Sequence, residues 1–196
     1  MNSGAIPLSL PRWAYVPGQS VEAAADHDTL QHAKVLVPSR FGGFVPARHP
    51  ALRYGITLND SGYFWESQEI LEAVWAAAPQ GGRERILLRA WIQIANANLR
   101  LRMQKPHAAA RLLGEALGEL EALGTRKTAA DGFADQFPTT ALAAVLRTKL
   151  TQPLLGKADW DRGRRPSMKQ NADFWLIGLD HRQNMHYYAC KVRCWK

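Results

Sequence analysis

The sequence predicts an all-α fold, a small helical bundle of about four helices with a loop-rich N-terminal arm and an irregular basic C-terminal tail. Three observations predict it. Apolar residues recur at three- and four-residue spacing in four runs through the middle of the chain. No stretch alternates apolar and polar residues as a half-buried strand would. Prolines and paired glycines stand between the runs, where they end one helix or open the next.

The arm is taken as residues 1–54. Pro7, Pro11 and Pro17 break its start, and Tyr15-Val16-Pro17-Gly18 reads as a turn. Residues 20–34 can form a short helix capped by Ser20. Residues 35–58 carry Pro38, Gly42, Gly43, Pro46 and Pro50, and read as a connector with a single turn after Pro50. The helical core is taken as residues 55–152. Asn59-Asp60-Ser61 offers N-cap chemistry to a run ending at Ala78, and Pro79-Gln80-Gly81-Gly82 stops it. A second helix is predicted from Arg83 to Met103. Pro106 opens a third, lined by Leu113, Leu117 and Leu120, with Gly124 as its C′ residue. Residues 125–137 read as a linker. Pro138-Thr139-Thr140 starts a fourth helix, with Leu142, Val145, Leu146 and Leu150 periodic.

The tail is taken as residues 153–196. No glutamate follows Glu121, and from Lys157 onward nine Lys/Arg face four Asp, which is +5 of the net +8. His186, Cys190 and Cys194 would share a helix face and suit zinc by ligand type, but their spacing matches no common finger. Arg162, Arg164 and Arg165 with Trp160, Trp175 and Trp195 could grip a nucleic-acid backbone and stack on bases.

Composition narrows the class further. At 46% hydrophobic and 21% charged, the chain can bury a core and cannot be wholly disordered. There is no apolar run of about 18 residues, so no membrane span is expected. The start lacks a basic region followed by an apolar stretch, and two cysteines make no disulfide scaffold. A cytoplasmic protein is expected. No hydrolase elbow, zinc-protease helix, phosphate loop or dinucleotide fingerprint is present.

Helical wheels locate a candidate site. With Phe64 at zero on the first core helix, Leu71, Val74, Trp75 and Ala78 fall within about 80°. Gln68 lies at about 40°, inside that stripe, while Glu72, Glu69 and Glu66 fan out to about 80°, 140° and 200°. On the second helix Asn98 lies inside a broad apolar face and Gln93 at its margin. Gln68, Gln93 and Asn98 are therefore candidates for one buried polar network, serving either to fix helix register or to bind.

Leu58 to Trp75, and within it Trp65, Glu66, Glu69, Glu72 and Trp75, resembles the signature of the family called domain of unknown function 309. Ile92-Gln93-Ile94-Ala95 is similar to that family's second helix, Ala110 to Leu113 to its third, and Tyr15 to Gly18 to the opening of some bacterial members. The resemblance implies a small helical domain; some members are labelled predicted metal-dependent hydrolases. Where the family has His, this chain has Gln68, an amide that cannot titrate and is a poor zinc ligand. The reading that results is a binding domain without catalytic residues, metal ligands or cofactor. Trp65, Glu66, Gln68, Glu69, Glu72, Trp75, Gln93 and Asn98 would bind a small ligand or a protein partner between the first two core helices. A metal-dependent hydrolase using Glu69 and Glu66, and a nucleic-acid binder using the tail, stand as alternatives, so enzymatic activity is left open.

Overall fold

The computed structural model describes residues 8–18, 27–125 and 132–151. Among the described residues there are seven helices and no strand: α1 His27–Val35, α2 Pro50–Asp60, α3 Phe64–Ala77, α4 Arg83–Arg102, α5 Pro106–Gly124, α6 Phe133–Gln136 and α7 Thr139–Thr151. Helix α4 packs against α3 and α5. Helix α2 extends this series beyond α3, and α7 extends it beyond α5, while α1 contacts both α2 and α3. None of these helices is long and apolar enough to cross a membrane. The tail, with its zinc and nucleic-acid readings, lies outside the described residues.

Helix α2 stands where a connector with one turn was expected. Pro50 occupies its first turn, where a missing N–H costs nothing. Ala51, Leu52, Tyr54, Gly55, Leu58 and Asn59 are buried at helical spacing. Asn59-Asp60-Ser61 does not cap α3; it ends α2. Ser61 is the C-cap and Gly62, at φ 88°, takes the left-handed position. The Gly62 N–H donates to Asn59 O at 3.1 Å and the Tyr63 N–H to Leu58 O at 2.9 Å. These two bonds are the Schellman closure. Helix α3 therefore begins at Phe64, with no side-chain cap from Tyr63.

The chain from α1 to α2 is also tied down. The Phe41 N–H donates to Ala77 O at 2.9 Å, and Val45 O accepts from the Phe133 N–H at 2.9 Å. The second bond fastens α6, which lies in the stretch read as a linker. Helix α4 closes on the same two-bond pattern as α2, with Gln104 at φ 60° in the place usually held by glycine. Gly124 is the last residue of α5 and Thr125 its C-cap, so the glycine does not serve as C′.

At the start of α4, Arg83 Nε donates to Asp135 Oδ1 at 3.0 Å and its Nη1 to Leu123 O at 2.8 Å, joining three elements. Glu84 is buried beside this pair, and a Cβ at Gly132 would stand against its Oε1. Burial pushes the Glu84 carboxyl above the ordinary glutamate value, and nearby Asp135 adds to this. Its own main-chain N–H and the Arg83 charge oppose the shift. The folded state thus holds this proton more tightly than the unfolded state. Its contribution to stability is full below the unfolded value of 4.5 and is lost as pH rises through the folded one. Glu84→Gln should therefore stabilise the protein at pH 7.5 relative to wild type, with the gap closing by pH 4. Urea midpoints at the two pH values check this, and a gap that does not change with pH refutes it.

Candidate functional site

The buried face of α3 decides where the signature side chains go. Glu66, Ser67, Ile70, Leu71, Val74 and Ala77 are buried with Phe64. On the wheel with Phe64 at zero, these centre near about 280°. The expected stripe, drawn through Trp75, is rotated by most of a quarter turn from this. Gln68 consequently sits well outside the core. It is half-buried, and its Nε2 donates to Glu72 Oε1 at 2.8 Å on the exposed flank. Gln93 is half-buried on α4, and no hydrogen bond among the described residues joins it to Gln68 or Asn98. Asn98 is buried as its wheel position requires, but its partner is Asn59: Asn98 Nδ2 donates to Asn59 Oδ1 at 3.1 Å. Asn59 Nδ2 and Asn98 Oδ1 are left without partners.

Glu66 is the signature carboxylate that turns inward, at 4% exposure. Its Oε1 accepts the main-chain N–H of Tyr15 at 2.6 Å. That residue belongs to an irregular segment, residues 8–18, laid across α2 and α3. Tyr54 of α2 donates its hydroxyl to Ser9 O at 2.7 Å, near the other end of the segment. The Tyr15 ring meets Trp65 edge-on with centroids 4.9 Å apart, a favoured aromatic geometry. Pro11 and Val16 are buried, Val16 to 2%. Arg102, one turn beyond Asn98 on α4, donates from Nη1 to Gly62 O at 3.1 Å. Burial lowers its guanidinium below the usual arginine value, and the Glu66 carboxylate and Tyr63 partly counter this.

The other motif residues serve separate contacts. Glu69 Oε2 accepts from Lys34 Nζ of α1 at 2.7 Å. Trp75 lies under Arg85, whose guanidinium carbon is 3.8 Å from the ring centroid. Arg85 Nη1 also donates to the carbonyls of Trp75 and Ala78 at 3.1 Å each, satisfying the end of α3. The three glutamates thus point to three different places: the N-terminal segment, α1, and Gln68. Among the described residues no three His, Cys, Asp or Glu side chains gather as a metal would require. The donors among the described residues do not fit the metal that the resemblance implied. Tyr15, Tyr54, Asn59 and Arg102 complete the site without having been singled out as its members. Arg102 had a visible signal, its four-residue spacing from Asn98.

Residues 52–112 match the model of the family described as domain of unknown function (DUF309). The match spans most of α2, all of α3 and α4, and the first turns of α5. The signature read in the sequence lies within it, so that resemblance holds over this stretch. No curated protein and no solved structure matches the chain.

Proposed function

We propose that this chain is a non-catalytic binding module that takes an extended stretch of polypeptide where α2, α3 and α4 meet. The observation that carries the reading is the bond from the Tyr15 main-chain N–H to buried Glu66. A carboxylate held away from water and aimed at a main-chain donor recognises polypeptide as such, because every residue but proline offers that donor. Tyr54 recognises a main-chain carbonyl in the same segment. The Trp65 ring meets that of Tyr15 in a T-shaped contact, and Arg102 of α4 places a cation in the field of the Glu66 carboxylate. The divergence of Glu66, Glu69 and Glu72 favours this reading over hydrolysis.

A peptide-display selection tests it, run on the full chain and on the full chain carrying Tyr15→Pro, whose segment can no longer donate to Glu66. Enriched peptides are expected from at least one of the two, and Glu66→Gln in the same chain should weaken their binding by about tenfold. That is the difference between a charge-assisted and a neutral acceptor. If neither chain enriches a peptide that depends on Glu66, the proposal is wrong.

A further inference from the structure

We infer that residues 8–18 are a built-in competitor for this groove, and that the external partner is an extended, proline-containing peptide that docks as they do. This rests on the binding reading above and adds who occupies the groove and what must leave it. The segment is held through features a second polypeptide could copy. Two of its bonds use main-chain atoms, Ser9 O and Tyr15 N. Two small apolar anchors, Pro11 and Val16, are buried, and one aromatic ring meets Trp65. The side chains most specific to this sequence face outward, with Leu10 at 45% and Trp13 at 58% exposure. The groove therefore reads a pattern, proline followed four residues later by an aromatic and then a β-branched residue, in an extended chain.

Tethering gives the chain's own segment a large advantage. A tethered ligand acts at an effective concentration that a free peptide must match to compete. A free peptide of the same sequence would have to exceed that to displace it. The apparent affinity of the free peptide falls by the fraction of time the groove is open. Weakening the internal contact should then strengthen external binding, the opposite of what a purely structural strap would do.

The test is fluorescence anisotropy with a labelled synthetic peptide of residues 8–18, titrated with full-length protein. Two variants loosen the internal segment: Val16→Asp, which places a charge at a buried site, and Tyr15→Pro, which removes the donor to Glu66. The peptide is expected to bind either folded variant at least tenfold more tightly than wild type. A peptide N-methylated at the nitrogen of Tyr15 should lose that gain. Circular dichroism confirms folding, and if Val16→Asp does not fold, Tyr15→Pro carries the comparison. Equal binding to wild type and variants, or none to a folded variant, overturns the inference. Should the display selection succeed while this competition is absent, the groove binds polypeptide but residues 8–18 do not guard it.

Discussion

Trp91→Ala is expected to lower the unfolding free energy by about 3–5 kcal/mol, the range for emptying a large aromatic site. Trp91 is fully buried on α4, the helix that packs against both α3 and α5. Its ring meets Phe137 edge-on at 5.4 Å, and Phe137 meets Phe133 at 5.5 Å. The vacancy would therefore reach α6 and the approach to α7 as well as the centre of the bundle. A milder substitution separates two contributions. The Trp91 Nε1 donor is buried without a partner, a defect worth about 1–3 kcal/mol. Trp91→Phe loses volume but also removes that defect, so it should cost well under half of what alanine costs. Urea denaturation of the two variants checks this. Equal midpoints would mean that the indole N–H is satisfied or that the site collapses around either replacement.

Gly55→Val is expected to cost about 1–3 kcal/mol or more, by forcing α2 away from α3. A Cβ at Gly55 would lie 2.8 Å from Leu71 Cδ2 and 2.9 Å from Leu71 Cγ. Carbon atoms settle at about 3.5–4.0 Å, so Leu71 or the helix must move. Leu71 is itself fully buried, and the Gly55 carbonyl is held by the Ser67 hydroxyl at 2.7 Å. Neither can shift without loss. Gly55→Ala meets the same contact but gains about 1 kcal/mol of helix propensity, so it should be clearly milder than valine. Thermal melts of both variants give the ordering. A neutral valine would show that the crossing of α2 and α3 has slack.

The helix that carries this glycine, α2, lies where the sequence suggests a connector. Pro38, Gly42, Gly43, Pro46 and Pro50 made residues 35–58 look like a connector. Yet the chain carries apolar residues at 51, 52, 54 and 58, the spacing of a buried helix face. Proline at a helix start and glycine at a helix crossing are both compatible with a helix. Which role each plays depends on a neighbour that one-dimensional spacing does not contain. Asn59-Asp60-Ser61 fails in a similar way. Polar side chains suited to cap α3 instead lie at the end of α2, because Gly62 adopts the left-handed conformation one residue later.

Helices α4 and α5, the start of α7, the all-α class and the signature from Trp65 to Trp75 are determined by local facts. These are period, breakers and residue identity within one turn or two, and all of that is present in the chain itself. The burial of Asn98 belongs with them, since its wheel position requires it. The direction of α3 was decided only in three dimensions. Trp75 drew the expected stripe toward itself, although large amphipathic rings often lie half-exposed at the edge of a core. Packing of α3 between α2 and α4 turned it so that Ser67 and Ile70 face inward, which buries Glu66 and leaves Gln68 at the margin. The partners of Glu66 were likewise beyond the sequence. Tyr15 lies 51 residues away along the chain, and a contact at that separation is set by how whole helices pack, which periodicity along one helix does not record.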